Sequence, residues 1–99
     1  MARTVDESVL LSRFLDSEGL LIAIPRRRSD RLVLYRHIAG SIEPGVDHDE
    51  VSVNASLRAF STDVAMLRRY LVDEGFLLRR PPGIYRRPDP SPPDQAQRR

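Results

Sequence analysis

Apolar positions recur along the chain in two different periods, and the switches between them divide it into elements. In "TVDESVLLSRFLDSEG", residues 4 to 19, Val9, Leu10, Phe14 and Leu15 make the broad apolar face of a first helix. Thr4 or Asp6 suits its N-cap, acids fall in its first turn, and Gly19 suits a left-handed stop. "LLIAI", residues 20 to 24, is an unbroken apolar run closed by Pro25 and reads as a short buried strand. Ser29 is the expected cap of a second helix, "DRLVLYRHIAGSI", in which Leu32, Tyr35, Ala39 and Ile42 recur at helical spacing with Ile38 beside them. After the break at "EPG", a third helix is expected from an Asp49 N-cap to about Ala59, with Val53 and Leu57 inward. A short link at "FST" leads to a fourth, from about Thr62 to Glu74, whose inward stripe is Val64, Leu67 and Leu71. Gly75 fits the C′ position. "FLLRR" and "IYRR" then flank "PPG", where Pro82 and Gly83 suit the two central positions of a type II turn and so of a hairpin.

The order of these elements sets the expected fold class. It is α+β: a mainly helical winged helix-turn-helix with a C-terminal β-hairpin wing and an extra N-terminal helix and strand. The tight link forces the third and fourth helices to cross steeply. Residues 1–87 are read as one domain, with the extra helix and strand at 5–24 and the core at 29–87. From 88, "PDPSPPDQAQRR" holds four prolines in twelve residues and almost nothing apolar, so a disordered, partly polyproline-like tail is expected.

Charge refines this picture through its distribution, because the net value is only +2. Residues 26–36 carry five arginines against Asp30, and residues 64–87 carry six against Asp73 and Glu74, a balance of +4 in each block. The segments before and between them are acidic. Two basic blocks can form a one-sided basic surface on a nearly neutral protein. In the fourth helix the apolar stripe leaves Thr62, Ala65, Arg69 and Asp73 outward, with Arg68 near the boundary. Small residues at the start of that helix permit approach to a groove. Arg69 is placed to reach a base edge or phosphate, and Ser61, Thr62 and the first-turn N–H groups to hold a phosphate. Arg79, Arg80, Arg86 and Arg87 flank the hairpin turn, and strand alternation exposes at least one of each adjacent pair. Arg26, Arg27, Arg28 and Arg31 form a secondary basic patch. The expected function is a small winged-helix DNA-binding protein of transcription regulation, contacting double-stranded DNA through 62–74 and 76–87.

The quoted runs "AIPRRRSDRLVLYRHIA", "VNASLRAFSTDVAMLRRYLVDEGFLLR" and "GIYRR" carry a resemblance. The chain resembles, over about residues 20 to 86, the bacterial domain-of-unknown-function family DUF2087, found alone or attached to predicted transcriptional regulators. The resemblance implies a winged-helix-like fold and DNA-related regulation, and it brings no catalytic residues.

Other function classes find less in the sequence. The absence of cysteine removes disulfides, thiolate metal sites and cysteine nucleophiles. No targeting peptide is read, and "LLIAI" is too short to span a bilayer, so a cytoplasmic protein without membrane contact is expected. "DHDE" at 47–50 suggests metal ligands, but neighbouring helix residues do not converge on one ion, and Asp49 as N-cap explains the segment better. His37 reads as a half-exposed helix residue. Ser61, Thr62 and Asp63 lack a histidine placed to activate a nucleophile and read as a cap. No enzyme activity and no cofactor are expected. The alternative is a winged-helix protein-interaction module of a larger regulatory assembly, without direct DNA binding. It draws on acidic residues 43–50, on Asp73 and Glu74, and on the wide face of the first helix, where a protein partner or homodimer contact through 5–16 competes with packing on the same domain.

Overall fold

A computed structural model describes residues 2–88 of the chain. Four helices, α1 (Ala2–Phe14), α2 (Arg28–Ala39), α3 (Glu50–Leu57) and α4 (Val64–Asp73), are joined by three short strands, β1 (Asp47–Asp49), β2 (Leu78–Arg80) and β3 (Ile84–Arg86). The strands form one antiparallel sheet in the order β1-β3-β2. The architecture is α+β, and the order α2-β1-α3-α4-β2-β3 is compatible with a winged helix. The Pro-rich segment expected to be disordered lies, from residue 89, outside the described residues.

The inward stripes read from the sequence meet in one core, which Leu34 joins although the reading did not include it, while Leu32 and Val64 are only half-buried. Leu34 and Ile38 of α2, Val53 and Leu57 of α3, and Leu67 and Leu71 of α4 are all essentially solvent-free, and Leu77 closes the end of the core from the approach to β2. Each such side chain contributes on the order of 2 kcal/mol by leaving water. α1 packs along α2, with Leu11 and Leu15 against the core and Glu7 3.5 Å from Arg36. Part of the apolar face of α1 stays open, since Val9 is 49% exposed.

Helix ends decide how the chain leaves each element. Asp49 caps α3 by accepting the Ser52 N–H, as expected. α4 is capped by Asp63, which accepts the Met66 N–H at 3.2 Å, so Thr62 stands outside the helix. At the other end Gly75 takes φ +84, its N–H goes to Val72, and the Phe76 N–H goes to Leu71. That is a Schellman ending, which turns the chain directly into β2.

Three boundaries differ from expectation. α1 begins at Ala2, ahead of Thr4 and Asp6, because Ala2 and Arg3 are themselves good helix formers. α2 begins at Arg28, ahead of Ser29, and Arg27 caps it without a side-chain bond. Its Arg27 carbonyl accepts the Asp30 and Arg31 N–H groups, so the helix has begun before Ser29, which lies inside its first turn. The run at 20–24 is extended but is not a strand of the sheet: it makes one bridge, Leu15 with Leu21, and Ile22 is 61% exposed. Gly19, at φ +85, folds it back on the end of α1, where the Ile22 N–H goes to Phe14 and the Leu21 N–H to Phe60. Those donors are thus already satisfied.

Tyr35 sits in the aromatic part of the core, 5.8 Å from the Tyr70 ring and 6.4 Å from Phe76, and is 2% exposed. Burial pushes its hydroxyl above the ordinary tyrosine pKa of 10.0, with Arg31 partly opposing the shift. The hydroxyl has no hydrogen-bond partner among the described residues.

Leu67→Ala lowers unfolding free energy by about 2–5 kcal/mol in urea titration, the usual cost of emptying a leucine site that cannot collapse. Because the Tyr35 pKa is raised on folding, its contribution is complete below pH 10.0 and declines above it, where the unfolded chain releases the proton first. Tyr35→Phe is therefore expected to flatten the alkaline loss of stability, measured by melting temperature against pH, without destabilising the protein at neutral pH.

Candidate nucleic-acid interface

Strand alternation splits each adjacent pair of wing arginines between two faces. Arg79, Tyr85 and His48 are in register across the sheet, and the buried Tyr85 marks theirs as the inner face. Leu78, Arg80, Ile84, Arg86, Asp47 and Asp49 take the outer face. Of the pair Arg79-Arg80, only Arg79 is directed toward the helices.

α4 supplies the opposite wall. Arg69 keeps 79% of its side chain exposed and lies 3.8 Å from Asp73 one turn later, an ion pair worth only a few tenths of a kcal/mol and easily exchanged. Arg68 is turned inward, with 20% of its side chain exposed. It donates to Asn54 Oδ1 and lies 3.7 Å from Glu50, which also accepts the Tyr85 hydroxyl at 3.2 Å. Arg68 and Glu50 thus tie α4, α3 and β3 together. The resulting groove, about 380 Å³, brings Arg68, Arg69 and Arg79 together along the exposed Ala65, with Glu50 and Asp73 as the acids among its walls. Three guanidinium groups face two carboxylates, and the two exposed cations, Arg69 and Arg79, lie at the solvent side.

The other sequence-identified residues are placed elsewhere. Arg80 and Arg86 converge on Asp47 at 2.8 and 3.1 Å. Hydrogen bonding, first from Arg86 and then from Arg80, holds the Asp47 carboxyl below the ordinary aspartate value. Arg87 donates to the Ile42 carbonyl at 2.8 Å, closing the base of the wing onto the end of α2. Thr62 is exposed immediately before α4. The expected phosphate cradle at Ser61, Thr62 and the first turn does not form as read, because the Asp63 carboxylate already takes the Met66 N–H and Ser61 Oγ accepts the Asp63 N–H. A phosphate there meets a negative charge.

In the secondary patch, Arg28 pairs with Glu74 at 2.8 Å and joins α2 to the end of α4. Arg31 donates through Nη1 to the Arg26 carbonyl at 2.6 Å and to Pro25 at 3.4 Å. Arg26 and Arg27 are exposed and form no ion pair among the described residues.

His48 lies on the inner face of β1, where its Nε2–H donates to the Glu43 carbonyl at 2.9 Å, and His37 meets Phe60 edge-on. Among the described residues no group of three or more His, Cys, Asp or Glu side chains is arranged to hold a metal ion. Sequence reading missed β1 and with it the Asp47 clamp. The signal available was slight: a strand of three polar residues has no apolar alternation of its own and forms because β3 supplies its hydrogen bonds.

Among the described residues no helix is long and apolar enough to cross a membrane. No curated protein and no solved structure matches the chain. The model of one family, described as an uncharacterised protein conserved in bacteria, matches residues 20–87, from the turn after α1 to the end of the wing. The chain therefore belongs to the bacterial family DUF2087.

Proposed function

We propose that the protein is a small winged-helix DNA-binding domain acting in transcription regulation, with the groove between α4 and the wing laid against double-stranded DNA. The observation that carries the reading is the placement of Arg69 and Arg79, from two separate elements, on one open groove. Ala65 leaves the start of α4 slim on that side, which suits entry into a major groove. Arg26 and Arg27 are exposed beside the Arg28–Glu74 pair and offer further cations to a phosphate backbone. Arg80 and Arg86 lie on the opposite face of the sheet, compensated by Asp47, and stand outside this contact.

The groove carboxylates Glu50 and Asp73 favour, as a second reading, a protein-interaction module of a larger regulatory assembly. Pull-down from nuclease-treated extract separates the two. A stoichiometric protein partner, together with no duplex binding by the purified chain, selects the second.

Fluorescence anisotropy with labelled duplex DNA at two salt concentrations tests the first reading. With about three phosphates contacted, log K against log salt is expected to fall with a slope of about −2.7. The double change Arg69→Ala, Arg79→Ala is expected to flatten that slope by about 2 units and weaken binding at low salt. Binding that is absent at low salt, or indifferent to the double change, rejects the proposal. Asp47→Asn serves as a control: Arg80 and Arg86, which it releases, lie on the outer face of the sheet, so the slope is expected to stay unchanged.

A further inference from the structure

On the side of α4 away from Ala65 and Arg79 lies a second cavity of about 390 Å³, between the approach to α2 and the C-terminal end of α4. Its size is at the lower end of the range for small-molecule sites, roughly 300–1,000 Å³. The rings of Tyr35 and Tyr70 and the Pro25 ring give it an apolar side. Arg31 and the carboxylates of Asp73 and Glu74 give it charges of both signs.

Those charges are not spent on each other. Arg31 is engaged only through Nη1, and only with the backbone carbonyls of Pro25 and Arg26, which leaves the rest of its donor fork available. Glu74 accepts from Arg28 through Oε1 alone, and no Arg31–Glu74 ion pair forms. Between them stands Tyr35, 98% removed from solvent, whose hydroxyl lacks a partner among the described residues. Tyr35 is itself one of the residues that line this cavity, alongside Arg31, Tyr70 and Glu74. Buried hydroxyls in folded proteins are nearly always hydrogen-bonded, and an orphan calls for an explanation.

We propose that this cavity binds a small zwitterion with an apolar body, of the α-amino acid class. The ligand carboxylate lies on the free edge of Arg31, and its ammonium lies between Glu74 and Asp73. The Tyr35 hydroxyl bonds the charged head, and the body rests on Tyr70 and Pro25. A simple anion of this size faces two carboxylates and a simple cation faces the guanidinium, whereas a zwitterion matches both. Arg–carboxylate pairing is frequently bidentate, so it also fixes the ligand's orientation. The inference does not depend on DNA binding.

Titration of the ¹⁵N-labelled protein by two-dimensional NMR tests it with three probes: L-phenylalanine, N-acetyl-L-phenylalanine and L-phenylalaninamide. Saturable shifts are expected for phenylalanine, centred on Arg31, Tyr35, Tyr70 and Glu74. Removing either ligand charge is expected to weaken binding by about tenfold or more, as is Tyr35→Phe, since a hydrogen bond to a charged group commonly carries that factor. Glu74→Gln provides a second variant, expected to weaken phenylalanine and phenylalaninamide, which both carry the ammonium, while leaving N-acetyl-L-phenylalanine unchanged. No saturable shift at millimolar phenylalanine, shifts confined to other surfaces, equal binding of all three probes, or unchanged binding by Tyr35→Phe each overturns the proposal.

Discussion

The position of β3 between β1 and β2 governs what the wing can do. Successive residues of a strand point to opposite faces, so once Tyr85 is buried against α3, its neighbours in register, Arg79 and His48, must face the same way. A slip of one residue in β2 would bring Arg80 inward and leave Arg79 outside. The Glu50–Tyr85 hydrogen bond and the Arg68–Glu50 pair hold that arrangement against α3 and α4 together. The groove is thus a consequence of register as much as of charge.

Ion pairing then sorts the arginines into three kinds. Arg68 and Arg87 are structural, one binding Asn54 and Glu50 and the other the Ile42 carbonyl. Arg80 and Arg86 are compensated on the outer face by a single carboxylate, Asp47. Arg69 and Arg79 stay exposed, and Arg69 is held only by a surface pair one helical turn away. In water such a pair contributes little, so exchange of Asp73 for a phosphate is inexpensive. Doubled arginines in the chain do not mean doubled contacts.

α4 serves as a wall for two different spaces. Ala65, Arg69 and Val72 face the groove shared with the wing, while Tyr70 and Glu74 face the cavity shared with α2, and Asp73 borders both. One helix with a buried Leu67–Leu71 stripe has just enough circumference for this division. Its C-terminal end, where Asp73 and Glu74 engage Arg69 and Arg28, is the point at which the two spaces meet.

The apolar periodicity by itself determined the four helices, the hairpin, the Asp49 cap and the left-handed Gly75, because each of these rests on interactions between residues close in sequence. The core stripes were legible for the same reason: Leu67, Leu71, Val53 and Leu57 can face only one way on their helices. The tertiary structure alone decided the rest. β1 exists because β3 completes its hydrogen bonds; "LLIAI" does not join the sheet because Phe14 and Phe60 take its donors; and Asp47 meets Arg80 and Arg86 only across strands far apart in the chain. Which arginines remain free is a property of such long-range pairs. Local spacing specifies the direction of a side chain from its own element, but the partner that waits there is supplied by another part of the chain.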